Sequence, residues 1–304
     1  SRFGRQTRAM LPVYPFVFSR LRLRGYDVVL SSTSGWAHAT VAVDGVHVAY
    51  CNNPPRWIHD RERYFGEGGP VPSLARPAVR AAMDGLARWD RWAATHPDVY
   101  IASSRAVSRR IVRAYGRQPV AVIHPPVELD RFPDGPIGEP GDYALVVSRL
   151  LPYKRVDLAI AACEQLGVRL VVVGKGPADP GLRRLAGAWT EFRSSVSDDE
   201  LRALISGCRL MIQAGDEDFG LAPLDANAAG RPAVAFAAGG ALETVVDGET
   251  GVLFAEPSVA SLADALRRAQ NRTWDPAGLR RHAESFGEAR FHRELLQVIE
   301  EARR

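Results

Sequence analysis

The sequence predicts an α/β protein with doubly wound parallel sheets, and three observations lead to this prediction. A strand at Tyr143–Ser148, a helix at Val156–Leu166 and a strand at Arg169–Gly174 form one βαβ unit. A helix at Leu221–Ala229 is followed by a buried strand at Ala233–Ala237 and a Gly-Gly loop that opens the next helix. The 304 residues, with 46% hydrophobic content, are enough for two domains with substantial cores.

Composition narrows the functional class. No apolar run approaches the ~20 residues that span a membrane. The cysteines Cys51, Cys163 and Cys208 are scattered and odd in number, which favours thiols in a reducing compartment. We therefore expect a cytoplasmic protein. No cysteine or histidine cluster has zinc-like spacing, so the sequence predicts no metal site.

Charge is divided unevenly along the chain. Residues 1–140 carry 19 arginines against 12 acids, whereas residues 141–304 carry 20 basic and 23 acidic side chains. A basic first half favours an anionic partner, such as a membrane surface or a diphosphate-linked acceptor, and no nucleic-acid motif is present. The arginine-rich stretch 2–24 has two interpretations: a solvated surface, or peripheral contact with anionic lipid at the inner face of a membrane.

The first half contains few predicted strands for a doubly wound domain, which needs two βαβ halves. We expect this domain to lack its start, with a naturally reduced domain as the alternative. The predicted strands are Asp27–Ser31, Val46–Tyr50, Val99–Ala102 and Val120–His124.

Helices and loops complete the prediction. A helix over Pro77–Ala94 is expected to face the core through Val79, Met83, Leu86 and Trp89. Residues 60–76 are rich in glycine, proline and charge and are predicted to form a loop. Further helices are predicted from Ser103 or Ser104 to about Gly116, and over Asp199–Ile205, Leu262–Gln270 and Arg280–Arg304.

Candidate anion-binding residues gather around the start of the helix Leu221–Ala229. Its free backbone N–H groups and positive dipole end would face a ligand beside Phe219, Gly220 and Leu221. Arg149 and Lys154 bracket a loop at the end of the strand Tyr143–Ser148. Because ligands bind beyond the carboxyl ends of parallel strands, we expect these groups to bind a diphosphate.

At these residues the chain resembles a family 4 retaining glycosyltransferase of the GT-B fold, whose signature is Glu, seven residues, Glu. The first glutamate is Glu217, and Asp225 stands where the second is expected. The resemblance extends to residues 124–132, 148–160, 171–177 and 194–201, and so spans nearly the whole chain.

The resemblance implies two Rossmann-like domains that face each other across a cleft. We place the acceptor-side domain at 1–132, a proline-rich linker at 133–141 and the nucleotide-sugar-binding domain at 142–287. The helix over 288–304 is expected to return towards the first domain.

The resemblance also implies roles for single residues. Arg149 and Lys154 would stabilise the departing diphosphate, and Glu217 would bind hydroxyls of the donor sugar. Asp225 would bind the ribose, while Gly174 and the loop ending at Val196 would approach the base. Asn52 stands where related sequences carry a histidine near the donor, and the motif around it is also compatible with a simple turn.

The implied reaction is transfer of a sugar, with mannose as the expected one, from a GDP- or UDP-linked donor to a glycan or lipid-linked acceptor. No cofactor and no metal are expected. Two alternatives stay open. One is a catalytically silent sugar-nucleotide-binding module, and the other is a different GT-B enzyme, such as an epimerase or a phosphorylase.

Overall fold

The computed structural model describes residues 13–65, 76–132 and 138–304. The chain divides into two compact units. The first comprises Ser1–Glu62, Glu67–His124 and His292–Arg304, and the second comprises Arg63–Gly66 and Pro125–Phe291. Each unit is built around a parallel sheet, which confirms the predicted α/β fold class.

The first unit contains six short strands and several helices among its described residues. The strands are β1 (Arg22–Leu23), β2 (Val28–Thr33), β3 (Val41–Ala42), β4 (Val46–Cys51), β5 (Val99–Ala102) and β6 (Ala121–Val122). The helices are α1 (Tyr14–Arg20), α2 (Arg56–His59), α3 (Arg61–Phe65), α4 (Arg76–Ala93) and α5 (Arg105–Tyr115), with α3 passing into the second unit.

The main sheet of the first unit has the strand order β2-β4-β5-β6, and all its neighbours are parallel. Strands β1 and β3 form a separate parallel pair. Ser104 caps α5 by accepting a hydrogen bond from the Val107 backbone N–H, and Gly116 ends the helix in the left-handed conformation. The carboxyl edge of this sheet therefore carries the loops after β2, β4 and β5.

The second unit contains a larger sheet. Its strands are β7 (Tyr143–Val147), β8 (Arg169–Val173), β9 (Thr190–Arg193), β10 (Leu210–Gln213), β11 (Ala233–Phe236) and β12 (Gly251–Phe254). Its helices are α6 (Val156–Leu166), α7 (Asp179–Leu185), α8 (Asp198–Gly207), α9 (Leu221–Ala228), α10 (Ala241–Thr244), α11 (Val259–Gln270) and α12 (Pro276–Glu284). A last helix, α13 (Glu288–Ala302), belongs to the first unit from His292 onwards.

The strand order in this sheet is β12-β11-β10-β7-β8-β9, with every neighbouring pair parallel. The chain starts at the central strand β7, moves outwards through β8 and β9, and then returns to build β10, β11 and β12 on the other side. The direction of winding thus reverses between β7 and β10. Ligands of open α/β sheets bind at such a reversal, beyond the carboxyl ends of the two strands.

Buried apolar side chains cover both faces of the central strands of this sheet, as parallel sheets require. Leu145 on β7 and Met211 on β10 are buried on one face, and Ala144 and Leu210 on the other. Cys163 and Cys208 lie within these two cores, and burial raises the pKa of each thiol to about 12.

Three details of the predicted secondary structure are wrong. The tail after Arg280 is not one helix, because Ser285 to Gly287 separate α12 from α13. Part of the predicted loop 60–76 is the helix α3, and residues 66–75 lie outside the described part of the chain. In α4, Val79 is exposed, whereas Ala87, Asp90 and Ala93 are buried. None of the described helices is both long and apolar enough to span a bilayer.

Candidate functional site

The candidate site is built from the loops that follow β7 and β10, at the point where the winding of the second sheet reverses. Both strands end at the same edge, since Met211 on β10 pairs with Leu145 on β7. The loop after β7 carries Arg149 and Lys154, and the loop after β10 carries Glu217 and the start of α9. The fold therefore brings two of the predicted segments together.

Lys154 lies at the end of a tight 3-10 turn, Pro152–Lys154. The next residue, Arg155, has φ of 51°, which makes it the only non-glycine residue in the described part of the chain with positive φ. Its guanidinium binds the Asp157 carboxylate, with Nη2 3.0 Å from Oδ2. Such a conformation is unfavourable for an arginine, and this contact with the first turn of α6 helps to hold it.

Lys154 and Glu217 form an ion pair in which the ammonium contacts both carboxylate oxygens. Only 15% and 17% of the two side chains are exposed. The Glu217 carbonyl accepts a hydrogen bond from the Gly240 backbone N–H at 3.0 Å. The predicted cation and the predicted sugar-binding acid therefore meet directly, and the Gly-Gly loop after β11 is tied to the same place.

The N-terminus of α9 lies next to this pair in the chain. Gly220 precedes the helix with φ of 88°, a conformation that favours glycine, and a Cβ there would lie 2.4 Å from the Gln213 Oε1 atom. The Phe219 ring is buried and lies 5.9 Å from the Phe286 ring. Phe219 and Gly220 can thus contribute backbone groups rather than side chains to a ligand, and the Leu221 side chain is 42% exposed.

The loops after β7 and β8 are packed closely against each other. Gly174 has φ of 150°, and a Cβ there would lie 1.8 Å from the Ser148 carbonyl oxygen. This glycine is therefore required by the packing of the two loops. The exposed Arg149 lies in the same loop, and no described residue forms an ion pair with its guanidinium. Val196, in the loop after β9, is half-buried against the core.

Asp225 is on the second turn of α9. Burial raises the pKa of its carboxyl to about 6, an effect that Arg131 partly offsets and Glu128 reinforces. Both neighbours come from the segment just before the linker, which belongs to the second unit. An acid in such a position loses much of its hydration, so hydroxyl groups that donate to its ionised form would be bound favourably.

Asn52 belongs to the first unit, at the carboxyl end of β4. Its side-chain amide donates to the Ser32 Oγ at 3.1 Å, and its backbone N–H donates to the Thr33 carbonyl at 2.7 Å. These contacts join the loop after β4 to the end of β2. A role of Asn52 in donor binding stays a prediction.

The sequence did not reveal the aromatic surroundings of Lys154. The Tyr153 ring lies 5.0 Å from the Lys154 Nζ, and the Tyr64 ring stacks on Tyr153 at 5.8 Å between centroids. The segment around Tyr64 is far from Lys154 in the chain, and no periodicity links them. The described residues include no cluster of three histidine, cysteine or acidic side chains that could hold a metal ion.

Comparison with known proteins places the chain in a family. Residues 130–288 match the family model described as glycosyl transferases group 1. The D-inositol 3-phosphate glycosyltransferase of Mycobacterium tuberculosis (strain F11) is 31% identical over 297 residues, a match that covers 86% of this chain and 58% of the relative. The chain thus spans less than two thirds of the length of such curated relatives.

Solved structures show the same fold. Sucrose-phosphate synthase from Thermosynechococcus elongatus superposes with a TM-score of 0.71 at 17% identity, covering 96% of this chain and 77% of that one. Anabaena Alr3699/HepE in complex with UDP-glucose gives a TM-score of 0.71 at 18% identity, covering 96% and 82%. The fold is therefore that of the GT-B glycosyltransferases. Because the family model spans more than half of its length, the chain belongs to the glycosyl transferases group 1 family.

Proposed function

We propose that this protein is a glycosyltransferase that moves a hexosyl group from a nucleoside-diphosphate sugar to a glycan or lipid-linked acceptor. The observation on which this rests is the ion pair of Lys154 and Glu217, just before α9 in the chain, where the winding of the second sheet reverses. A cation, a hydrogen-bonding acid and a helix N-terminus suit a diphosphate linked to a sugar. The relatives support the same class: one is named as a glycosyltransferase, and a neighbour of the same fold holds UDP-glucose.

Each residue would have a separate task in the proposed reaction. Lys154 and Arg149 stabilise the negative charge that grows on the departing diphosphate, together with the α9 N–H groups. Glu217 orients the sugar through its hydroxyls, and Asp225 accepts from the ribose hydroxyls. Gly174 and the loop at Val196 approach the base.

We propose a retaining reaction, in which the acceptor hydroxyl attacks from the face that the diphosphate leaves and a phosphate oxygen takes its proton. Mannose is the proposed sugar, and GDP or UDP the proposed leaving group.

Neither a cofactor nor a metal is part of the proposal, because Lys154, Arg149 and the helix dipole would supply the positive charge. We expect full activity in the presence of a chelator. Activity that depends on added magnesium or manganese would contradict this metal independence.

The exposed arginines of the first unit support an anionic acceptor. Arg20, Arg22 and Arg24 are all exposed, next to the exposed apolar side chains of Phe16 and Val17. Such a surface favours a lipid-linked diphosphate acceptor held at an anionic membrane from the cytoplasmic side. Sedimentation with anionic vesicles, but not with neutral ones, is the expected result, and replacing the three arginines by glutamine should abolish it.

A panel of nucleotide sugars tests the proposed function directly. We expect one donor to bind and to release its nucleoside diphosphate in the presence of an acceptor or, slowly, of water. Saturable binding without any turnover would identify a silent binding module instead. No binding of any nucleotide sugar would contradict both.

A further inference from the structure

Tyr64 reaches the donor site from a distant part of the chain. It lies on α3, and residues Arg63–Gly66 belong to the second unit although the chain on both sides belongs to the first. Its ring stacks on that of Tyr153, with 5.8 Å between the centroids and 27° between the planes. Stacked aromatic pairs at such distances restrict each other's orientation.

Tyr153 is in turn a neighbour of the Lys154 ammonium. The Nζ atom lies 5.0 Å from the centre of the Tyr153 ring, within the range of a cation–π contact. The ammonium therefore has at least two partners, the Glu217 carboxylate and this ring. Tyr153 is only half-buried, so the orientation of its ring depends on the side chains that pack against it.

We propose that Tyr64 is a positioning residue of the donor site, which holds Tyr153 and, through it, the ammonium of Lys154. The proposal rests on the proposed function, because Lys154 is taken to stabilise the leaving diphosphate. Without the Tyr64 ring, Tyr153 gains rotational freedom and the ammonium loses one of its partners. The contact between Lys154 and the leaving diphosphate, which strengthens in the transition state, is then weaker. The contacts with the rest of the donor are unchanged.

The kinetic expectation follows from this geometry. Tyr64→Leu should lower kcat about 5-fold to 10-fold and leave KM for the donor within about 2-fold, since only the placement of the cation changes. Tyr64→Phe retains the stacked ring and should restore kcat to nearly the unsubstituted value. Tyr26→Leu, at an exposed tyrosine of the first unit, is the matched control and should change neither constant.

A spectroscopic test is possible because the sequence contains only two lysines, Lys154 and Lys175. Protein made with lysine labelled by carbon-13 at Cε should give two resolved signals, assigned with Lys175→Arg. The Lys154 signal should be displaced by the Tyr153 ring current, whereas Lys175 is exposed. Tyr64→Leu should move the Lys154 signal towards that of Lys175, and Tyr64→Phe should leave it in place.

The outcomes separate this proposal from the proposed function. A Lys154 signal unaffected by Tyr64→Leu would overturn the positioning role, whatever the protein binds. If the signal responds to Tyr64→Leu but not to UDP, GDP or any nucleotide sugar, Tyr64 positions Lys154 and the proposed function is wrong. A loss of folding in Tyr64→Leu would appear as a collapse of both lysine signals, in which case Tyr64→Met, with a longer apolar side chain but no ring, carries the same test.

Discussion

Lys154 and Glu217 form a mostly buried ion pair, although they come from loops on opposite sides of the winding reversal. Both side chains are mostly buried, so each would be costly to leave without its partner. In the proposed reaction a diphosphate sugar would replace both partners at once, because its phosphates would be anions for Lys154 and its hydroxyls donors for Glu217. If the proposed donor site is right, the ion pair would therefore compete with the donor for both side chains.

The first prediction concerns Glu217, the carboxylate that would compete with the diphosphate for Lys154. Glu217→Gln preserves the shape of the side chain but removes its charge. The diphosphate would then be the main anion that binds the Lys154 ammonium. We expect UDP or GDP to bind up to about 10-fold more tightly, a gain of ~1.4 kcal/mol. Turnover should fall, because the charged contact with the sugar hydroxyls is lost. Isothermal titration and a donor-turnover assay measure the two effects.

Glu249→Gln is the matched control for this change, because Glu249 is an exposed acid of the same unit. Its affinity for the nucleotide should equal that of the unsubstituted protein. Weaker or equal binding by Glu217→Gln would show that the ion pair does not compete with the diphosphate.

The second prediction concerns the cation. Lys154→Ala should lower turnover by ~2–4 kcal/mol in the barrier, since negative charge on the diphosphate grows towards the transition state. Donor binding should change less than turnover does. Lys175→Ala, at the other lysine, is the control and should leave turnover nearly unchanged. An unaltered rate in Lys154→Ala would remove this residue from the mechanism.

The sequence predicted the parts of this site that depend on local pattern. Strand ends, glycines and helix starts mark the loops of Arg149, Lys154 and Glu217, and the observed helix α9 differs by one residue from the prediction. The pairing of Lys154 with Glu217 and the stacking of Tyr64 on Tyr153 could not be predicted. Both depend on how distant loops meet at the sheet edge, which no periodicity encodes.

Helix α4 shows a second limit of pattern reasoning. Apolar spacing predicted that Val79 would face the core, yet the structure buries Asp90 instead, between His38 and His59. The His59 Nε2 lies 2.7 Å from one carboxylate oxygen and the His38 Nε2 lies 3.2 Å from the other. Burial raises the pKa of Asp90, but the contacts with these two imidazoles outweigh it and hold the pKa below its ordinary value. A buried acid with two partners interrupts the apolar pattern that the prediction used.

The third prediction concerns acid stability of the first unit. His47 is completely buried on β4, where its Nε2 lies 2.8 Å from the Ser31 Oγ, and burial lowers its pKa to about 4. The unfolded chain therefore binds a proton more readily than the folded one. The free energy of unfolding should fall as pH drops from about 6.5 to about 4, by up to ~3 kcal/mol from this residue.

His47→Gln should flatten this dependence, because an amide can accept from Ser31 but does not titrate between these pH values. Thermal unfolding at a series of pH values measures the slope. His292→Gln, at an exposed histidine, should leave the slope unchanged. An identical slope in His47→Gln would assign the acid sensitivity to other groups.

The last prediction concerns Asp225, the residue that stands in place of the expected glutamate. Its raised pKa of about 6 means that a large fraction of the carboxyl is protonated at mildly acid pH. Ribose hydroxyls donate most strongly to the ionised form, so donor affinity should rise as pH increases through about 6. A nucleotide sugar is the right probe, because the terminal phosphate of a free nucleoside diphosphate titrates near the same pH. Asp225→Asn should bind more weakly and with no such pH dependence.

The length of the side chain gives a second, independent measurement at this position. An aspartate is ~1.5 Å shorter than a glutamate, enough to turn a good hydrogen bond into a poor one. If the ribose contact is stretched, Asp225→Glu should tighten donor binding by up to ~1 kcal/mol and Asp225→Ala should weaken it. The buried Asn227 on the same helix donates to the Arg231 and Thr250 carbonyls and so fixes the backbone of α9. The helix therefore does not shift, and the added methylene of the glutamate would shorten the distance to the ribose. Weaker binding by the glutamate variant would mean that the pocket is shaped for the shorter acid. Equal affinities for all three side chains would show that Asp225 does not touch the ribose.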